Sequence, residues 1–252
     1  MLSGVIRTTT FGNSNIAYVA RLATSTEEVR AAQMLRFLVF NLEFNEGLAS
    51  SYDTCLDADP FDAVCDHLIV QDLNTNEVVG TYRLQTGTNA AEHLGYYSDQ
   101  EFDLAPFESQ RAEVIELGRA CVARAHRNRF VLQLLWKAIA SYAKGHHARY
   151  LLGCSSINSQ NPREGAALYA ALARSHLAPP ELRTVPRPDV ACPLGETALE
   201  AVRPPKLILA YLALGTWICG PPVIDREFKT IDFLTCLDLK AISPQAAAKY
   251  LS

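Results

Sequence analysis

The chain has 252 residues, of which 49% are hydrophobic and 20% are charged, and its formal net charge at pH 7 is −4. A chain of this size and composition is an ordinary globular protein that can build a sizeable core. The weak negative charge does not favour a nucleic-acid binder, so we expect no nucleic-acid partner.

Cysteine content and hydropathy bear on the cellular compartment. The seven cysteines form no C-x-x-C motif, and several lie in apolar, strand-like runs, so we predict reduced thiols and a cytoplasmic protein. The N-terminal segment MLSGVIRTTTFGNSN has no apolar core of signal-peptide length. The longest apolar run, residues 207–219, is several residues too short to span a bilayer. A peripheral contact with the inner face of the cell membrane stays open.

The first predicted elements are a short strand, residues 16–22, and a helix. Ser25, followed three residues later by Glu28, is a capping-box pattern that starts this helix, which we expect to run to about Glu43. Arg36 lies at the rim of the narrow polar stripe of the helix. It therefore faces either water or a cleft.

An acidic, irregular segment follows, with four aspartates within ten residues: Asp53, Asp57, Asp59 and Asp62. Their spacing lacks the D-x-D-x-D-G-x5-E pattern of a calcium-binding loop. Two interpretations remain. The segment is either a solvated loop or a loop that folds over a site and offers carboxylates to a cationic substrate.

Two strands, residues 65–72 and 77–85, are joined by a polar turn and are expected to form an antiparallel hairpin. Arg83 lies in the middle of the second strand. Because a buried charge is unfavourable without a partner, we predict that Arg83 is paired.

The stretch 113–136 predicts a buried strand, a basic loop and then a helix from Phe130. Glu116 and Arg119 are an ionisable pair inside the otherwise apolar strand, and burying them is unfavourable unless they are paired or hydrogen-bonded. Gly118 stands between them and indicates a β-bulge. Such a bulge would bring both side chains towards one cleft.

The basic loop, residues 123–129, lies in a span from Leu117 to Arg163 that contains no aspartate or glutamate. Its arginines stand at the start of a helix, where the helix dipole and free N–H groups favour an anion. Arginine forks also suit phosphate. We therefore predict a phosphate site at this loop, with a solvated basic surface as the alternative.

The C-terminal half adds a strand, a helix, a buried helix, a last strand and a short terminal helix: residues 149–156, 161–177, 207–219, 231–237 and 243 onwards. Residues 178–205 are rich in proline and predict a long surface excursion. We interpret residues 1–252 as one α/β domain with a mixed sheet.

A hairpin followed by a strand, an anion-binding loop and a helix resembles the core of the GNAT acyltransferases. In that superfamily the loop after the fourth strand holds the phosphates of coenzyme A or phosphopantetheine, and the thioester arm lies between splayed fourth and fifth strands. Here ARAHRNR replaces the usual glycine-rich loop. The expected fold is a GNAT-like α/β domain whose mixed, largely antiparallel sheet is splayed between these strands and flanked by helices.

Within that superfamily the sequence resembles ornithine-lipid N-acyltransferases and acyl-homoserine-lactone synthases. The residues that carry the resemblance are Arg36, Phe40, Asp59, Asp62, Arg83, Phe102, Glu116 and Arg119. The runs E-L-G-R-x-C-V, G-T-Y-R-L, Y-L-A-L-G-x-W-I-C-G-P-P and D-R-E-F-K-T-I-D-F-L are similar to the ornithine-lipid family. The resemblance covers about residues 21–239 and implies that the two phenylalanines bind substrate.

The resemblance implies a bacterial N-acyltransferase that moves a long, 3-hydroxylated acyl chain from acyl carrier protein to the α-amine of ornithine, giving lyso-ornithine lipid. The donor would be an acyl-phosphopantetheine thioester, with acyl-CoA less favoured, and no tightly bound cofactor or metal is expected. The rivals are an acyl-homoserine-lactone synthase, an enzyme that acylates glutamine, glycine or tyrosine, and a non-catalytic module that binds acyl carrier protein.

Aminolysis of a thioester needs a neutral amine, so a base must be positioned near the acceptor. Glu116 is the candidate base, with a structural ion pair to Arg119 or Arg83 as the alternative. Arg119 is either a substrate contact or the counter-ion of Glu116. Tyr169, in the run N-P-R-E-G-A-A-L-Y, is similar to a GNAT tyrosine that protonates the leaving thiolate, with core packing as the alternative.

Substrate recognition is assigned to two groups of charged residues. Asp59 and Asp62 are predicted to receive the side-chain ammonium of the acceptor, with Arg36 or Arg83 on its carboxylate. The phosphopantetheine phosphate is expected at the basic loop, on Arg124, Arg127, Asn128 and Arg129. Because acyl carrier protein is acidic, the acid-free span is expected to face it.

Overall fold

The structure of the chain is a computed structural model that describes the backbone of residues 6–10 and all atoms of residues 17–195 and 202–245. The described residues form nine strands: β1 (Ile6–Thr10), β2 (Ala17–Leu22), β3 (Asp66–Asp72), β4 (Val78–Thr86), β5 (Val114–Val122), β6 (Tyr150–Ile157), β7 (Trp217–Ile218), β8 (Val223–Asp225) and β9 (Thr230–Asp238). They form seven α-helices: α1 (Thr26–Phe37), α2 (Ser51–Thr54), α3 (Gly87–Glu92), α4 (Ala105–Glu108), α5 (Arg129–Gly145), α6 (Pro162–His176) and α7 (Lys206–Ala213).

The chain consists of two compact units, and one boundary between them lies within strand β5, between Glu116 and Leu117. The first unit consists of the described residues through Gln85 together with Leu117–Ala148. Its strands follow the order β1-β2-β3-β4-β5. Strands β3 and β4 pair antiparallel, with Leu68 opposite Tyr82, which confirms the predicted hairpin.

The second unit consists of Thr86–Glu116 and the described residues from Arg149 onwards. Its strands follow the order β5-β6-β9-β7, and β8 also pairs with β9. Strands β6, β7 and β8 each run antiparallel to β9. Strands β5 and β6 are parallel, and their register runs from Val114 opposite Tyr150 to Glu116 opposite Leu152.

The predicted fold class is confirmed, because the protein has a mixed, mostly antiparallel sheet flanked by helices. The parallel strands β5 and β6 are the expected fourth and fifth strands, numbered one higher because β1 precedes them. Glu116 is the last residue of β5 in the parallel register. The residue predicted to be the base therefore stands where this register ends.

Helix α1 begins after Ser25, whose hydroxyl accepts the N–H of Glu28 at 3.3 Å. The Glu28 carboxylate accepts the N–H of Thr24 at 2.7 Å and pairs with Arg21 at 2.5 Å. The predicted N-cap is thus confirmed. A π-helix, Leu38–Glu43, continues α1, so the helical segment ends where the sequence predicted.

Helix α5 has 17 residues and begins after Asn128. The side-chain oxygen of Asn128 accepts the N–H groups of Phe130 and Val131 at 2.9 and 3.1 Å, and so satisfies two donors of the first turn. Gly80 of β4 lies under this helix, since a Cβ there would be 3.4 Å from a methyl group of Val131. The absence of a side chain at Gly80 lets the helix approach the sheet closely.

The apolar run 207–219 is helical only in its first part. Helix α7 ends at Ala213, Gly215 has a φ of +92°, and the run ends in strand β7. A glycine in the left-handed region is a common helix stop. The prediction of one buried helix over the whole run is therefore wrong.

The other C-terminal segments are described in part. In the proline-rich segment 178–205, Leu182 and Cys192 are buried, and Pro186 forms a β-bridge with Phe102, so this segment packs within the second unit. The predicted terminal helix from Ser243 lies mostly outside the described residues. In the part of the chain that is described, no helix has the length and apolar character needed to cross a membrane.

Candidate active site

Six charged side chains of the first unit form a buried network, which we call the arginine–aspartate cluster: Arg36, Asp57, Asp59, Asp62, Arg83 and Arg119. Arg36 lies on helix α1, the three aspartates lie in the acidic segment, Arg83 lies on β4 and Arg119 lies on β5. Three guanidinium groups and three carboxylates balance in charge. Four of the six residues predicted to bind substrate therefore come together: Arg36, Asp59, Asp62 and Arg83.

Arg36 is fully buried and reaches two carboxylates. Its Nε lies 3.0 Å from Asp57 Oδ1, and its terminal nitrogens lie 2.5 and 3.1 Å from the two oxygens of Asp62. It also donates to the main-chain oxygen of Asp57. Of the two alternatives for Arg36, the one in which it faces water is wrong, because the acidic segment folds over its side chain.

Asp59 joins the other two arginines. Its Oδ1 lies 2.6 Å from a terminal nitrogen of Arg83, and its Oδ2 lies 2.7 Å from one of Arg119. Arg83 also binds Asp62 at 2.9 Å, and Arg119 binds Asp57 Oδ1 at 3.1 Å. The predicted pairing of Arg83 is confirmed, and its partners are aspartates.

The acidic segment is shaped by its own carboxylates. Asp59 is the N-cap of the single-turn 3-10 helix Pro60–Ala63, with its Oδ1 accepting the N–H of Phe61 at 2.9 Å. Asp62 returns the contact by accepting the N–H of Asp59 at 3.4 Å. This capping box fixes both carboxylates in the direction of the arginines, so the alternative of a solvated loop is wrong at these residues.

The guanidinium groups control the ionisation of the cluster. Burial alone would raise the pKa of Asp62, but Arg36, supported by Arg83, outweighs it and holds that pKa well below its usual range. Burial lowers the pKa of His67, whose Nε2 lies 3.0 Å from the main-chain oxygen of Asp62. At neutral pH the carboxylate of Asp62 is charged and His67 is neutral.

Arg119 occupies an unusual backbone conformation within strand β5, with a φ of +51°. A non-glycine residue in the left-handed region carries strain of about 1–3 kcal/mol. The positive φ shows an irregular backbone at Arg119, whereas the β-bulge predicted at Gly118 stays a prediction. Ion pairs with Asp57 and Asp59 hold Arg119 in this conformation.

Glu116 lies in the second unit and is only 5% exposed. Its Oε2 accepts the N–H of Tyr97 at 2.8 Å, and its Oε1 accepts the N–H and the hydroxyl of Ser98 at 2.8 and 2.7 Å. Both donor residues start the 3-10 helix Tyr97–Gln100. Three donors on one carboxylate favour its ionised form and offset the unfavourable burial of the charge.

The basic loop is partly engaged by the protein itself. Both terminal nitrogens of Arg127 bind the Glu43 carboxylate, at 2.6 and 2.7 Å, and Asn128 caps helix α5. Arg124 and Arg129 are exposed. Phosphate binding at this loop stays a prediction, for which these two arginines provide the accessible charge.

The remaining predicted site residues lie in apolar surroundings. Phe40 packs against Leu35 and Cys121, and Tyr169 packs against a core cluster of the second unit. Phe102 is fully buried in a core that includes Phe107. Substrate binding by the two phenylalanines and proton donation by Tyr169 stay predictions.

Comparison with known proteins identifies the family. A model of the acetyltransferase (GNAT) domain matches residues 35–137. The L-ornithine N(alpha)-acyltransferase of Rhodobacter capsulatus is 35% identical over 241 residues, which cover 90% of this chain and 92% of that protein. The Agrobacterium fabrum protein of the same name is 32% identical over 247 residues, covering 92% of this chain and 83% of that protein.

The chain belongs to the L-ornithine N(alpha)-acyltransferase family. It is therefore an N-acyltransferase with a GNAT fold. Solved structures share that fold at low sequence identity. FeeM, an N-acyl amino acid synthase from uncultured soil microbes, superposes with a TM-score of 0.56 at 15% identity, covering 95% of this chain and 97% of FeeM. The acyl-homoserine-lactone synthase LasI superposes with a TM-score of 0.54 at 12% identity, covering 93% of this chain and 96% of LasI.

Two residues of this N-acyltransferase had not been singled out from its sequence. Asp57 is fully buried and binds both Arg36 and Arg119, although only Asp59 and Asp62 had been assigned to a site. Its position two residues before Asp59 was the available signal. No sequence pattern pointed to Ser98. It binds Glu116 through its main-chain N–H as well as its hydroxyl, and any residue type can provide a main-chain N–H except proline.

Proposed function

We propose that this N-acyltransferase moves a long, 3-hydroxylated fatty acyl chain from acyl carrier protein to the α-amine of ornithine, giving lyso-ornithine lipid. The name shared by four relatives, at 32–35% identity over 88–92% of the chain, supports ornithine as the acceptor. The observation that carries the chemistry is the buried, hydrogen-bonded carboxylate of Glu116 at the end of the parallel register of β5.

Glu116 is the general base of this proposal. An ornithine ammonium has no lone pair, so a carboxylate must remove a proton, directly or through one water, before the nitrogen attacks the thioester carbonyl. A main-chain N–H near the end of the parallel register would stabilise the resulting oxyanion. The thiolate then leaves and takes up a proton, for which Tyr169 is the proposed donor, and the second proton that the nitrogen loses restores the Tyr169 hydroxyl.

The arginine–aspartate cluster is the proposed acceptor site. Asp59 and Asp62 already bind guanidinium groups, so an ornithine side-chain ammonium would share a carboxylate with an arginine. Asp59 is the more exposed of the two, with 11% against 6% of its side chain accessible. We therefore assign the ammonium first to Asp59, and the acceptor carboxylate to Arg83 in preference to the fully buried Arg36.

The donor is proposed to reach the enzyme as acyl-phosphopantetheine on acyl carrier protein, with acyl-CoA as the less favoured form. Exposed Arg124 and Arg129, at the start of helix α5, provide charge for its phosphate. Because the product is a membrane lipid, we propose a cytoplasmic enzyme that works at the inner face of the cell membrane.

A competition reaction tests this function. Purified protein is incubated with 3-hydroxyacyl carrier protein and a mixture of ornithine and the twenty common amino acids, and the lipid products are identified by mass spectrometry. We expect N-acyl-ornithine as the main product. N-acyl-glutamine, N-acyl-glycine or N-acyl-tyrosine would assign another acceptor, and a lactone formed in a parallel reaction with S-adenosylmethionine would assign a signal synthase. The absence of any product would favour the non-catalytic module, and replacing the carrier with CoA separates the two donors.

The base is tested by Glu116→Gln, which keeps the shape of the side chain but removes its basicity. We expect turnover to fall about 100-fold or more, in the range of general-base catalysis, with an unchanged circular dichroism spectrum. Glu113→Gln is the matched control, since Glu113 lies just before β5 with 48% of its side chain exposed. Near-normal turnover of Glu116→Gln would leave Glu116 with only a structural role, as the acceptor for the 3-10 helix that starts at Tyr97.

A further inference from the structure

A chain of polar side chains leads from Glu116 further into the second unit. Ser98 Oγ donates to Glu116 Oε1 at 2.7 Å, and Cys154 Sγ lies 3.5 Å from Ser98 Oγ. The same sulfur lies 3.2 Å from Glu101 Oε2. Each neighbouring pair is within hydrogen-bond distance, so the four groups form a continuous path.

The far end of this path is an acidic pocket. Glu101 and Asp232 are 7% and 5% exposed, and one carboxylate oxygen of each lies within 4.8 Å of the other and of the Cys154 sulfur. Two carboxylates this close in a buried place disfavour each other's ionised form. A proton that arrives there is therefore bound favourably.

The thiol of Cys154 keeps its hydrogen. Burial, followed by the negative charges of Glu101 and Asp232, raises the pKa of Cys154 well above its usual range. A protonated thiol is a poor nucleophile and a poor metal ligand, but it both donates and accepts a hydrogen. A thiol in this form is suited to proton transfer.

The proposed reaction leaves one proton to be removed in each turnover. An ammonium and a thioester give an amide, a thiol and one proton: R–NH3⁺ + R′CO–SR″ → R′CO–NHR + HSR″ + H⁺. The nitrogen loses two protons and the sulfur gains one. The base that starts the reaction must therefore discard the surplus proton before it can act again.

We propose that Ser98 and Cys154 relay this surplus proton from Glu116 to Glu101, an inference that rests on Glu116 being the base of the proposed function. Once Glu116 Oε1 is protonated, the Ser98 hydroxyl turns its hydrogen from Glu116 towards Cys154 Sγ. The proton on Glu116 Oε1 then passes to Ser98 Oγ, while the Ser98 hydrogen passes to Cys154 Sγ. The Cys154 hydrogen passes to Glu101 Oε2 in the same event. Glu116 is again a carboxylate, Ser98 and Cys154 are unchanged in formula, and Glu101, beside Asp232, holds the proton until it returns to water.

Variants of Cys154 test the relay in the assay with saturating acyl carrier protein and ornithine. Cys154→Ala interrupts the path, and we expect kcat to fall by about 100-fold or more, the low end of general acid–base effects. The KM values for both substrates should stay within about twofold, because no substrate contact is lost. Cys154→Ser restores a group that donates and accepts, so it should recover most of the lost kcat. Glu101→Gln cannot take up the proton and should behave like Cys154→Ala.

Cys219→Ala is the matched control, because Cys219 is a buried thiol of the same unit that hydrogen-bonds to Cys236. We expect it to keep the kcat of the unaltered enzyme. A Cys154→Ala variant as fast as Cys219→Ala, a Cys154→Ser variant as slow as Cys154→Ala, or a Glu101→Gln variant of normal kcat would overturn the relay. If Cys154→Ala does not fold, the nearly isosteric Cys154→Ser and Glu101→Gln decide the matter.

Glu116→Gln in the same assay separates the two proposals. If Glu116→Gln is inactive while Cys154→Ala and Glu101→Gln turn over normally, the relay fails and the proposed base stands. If Glu116→Gln itself turns over normally, the proposed base fails, and the relay fails with it.

Discussion

Arg36 shows how one buried charge depends on its neighbours. The side chain is fully enclosed, and its guanidinium pairs with the carboxylates of Asp57 and Asp62. Burying an ion pair is close to neutral in free energy when the pair is well satisfied, but removing one partner leaves an uncompensated charge in a place without water. Arg36 is therefore expected to matter for the stability of the fold, apart from any contact with substrate.

Arg36→Met tests this point. The variant keeps an unbranched apolar stem but leaves Asp57 and Asp62 without the Arg36 guanidinium, so we expect the free energy of unfolding to fall by about 3–5 kcal/mol. Urea unfolding followed by circular dichroism measures the change. Arg30→Met, at an exposed position of the same helix, should change stability by less than about 0.5 kcal/mol. Equal stability of the two variants would mean that the cluster contributes nothing to folding.

At the scale of elements, the N-terminus of helix α5 has two roles assigned to it. Asn128 was predicted to contact phosphate, and its side-chain oxygen is used to cap the helix. The N–H groups of Phe130 and Val131 already donate to the Asn128 side chain. They can bind a phosphate only if the phosphate displaces that side chain. The exposed arginines Arg124 and Arg129 are the groups left to attract the donor.

Two variants of Asn128 separate capping from phosphate binding. Asn128→Ala removes the cap and should lower stability by about 1 kcal/mol. Asn128→Asp keeps a capping oxygen but adds a negative charge, so stability should hold while the KM for the acyl donor rises. Asn161→Ala is the control, because Asn161 caps α6 in the same way and should affect stability alone. If the KM for the acyl donor is unchanged in Asn128→Asp, the phosphate does not bind at the N-terminus of α5.

At the scale of the whole molecule, charge is unevenly distributed along the chain. The net charge is −4, yet residues 117–163 contain no acidic residue. Within this span Arg119, Arg127 and Arg149 are ion-paired. Among the arginines and lysines of residues 117–148, those that are exposed and form none of these ion pairs are Arg124, Arg129, Lys137 and Lys144. These four residues set the electrostatic attraction that an acidic carrier protein would experience.

Salt dependence tests that attraction. We expect the KM for acyl carrier protein to rise steadily as ionic strength increases from low salt to about 0.15 M, where the Debye length falls to about 8 Å. Lys137→Glu should raise this KM further and flatten its salt dependence. Lys206→Glu changes the charge by the same amount at an exposed position of the second unit, and it should leave the KM for acyl carrier protein unchanged. A KM that does not respond to salt would argue against the basic span as the docking site.

Local features of the sequence determined much of the fold and part of the site. The hairpin of β3 and β4, the start of α1 at Ser25 and helix α5 were all predicted, because turn chemistry, capping and apolar periodicity act over a few residues. All six residues of the arginine–aspartate cluster stood out in the sequence, although Asp57 was noted only as one of four clustered aspartates and was given no role. Long apolar runs were less informative, since Gly215 divides residues 207–219 into a helix and a strand.

Only the tertiary structure decided which charges meet. Arg119 binds Asp57 and Asp59, about sixty residues away in sequence, and Glu116 receives its hydrogen bonds from Tyr97 and Ser98. Such pairs depend on how strands and loops are placed in space, and no local pattern encodes that placement. The sequence by itself determined which residue types and which family of reactions to expect. The fold determined that Asp57 completes the cluster, that Arg119 is held in a strained conformation, and that Glu116 lies beside a serine and a thiol.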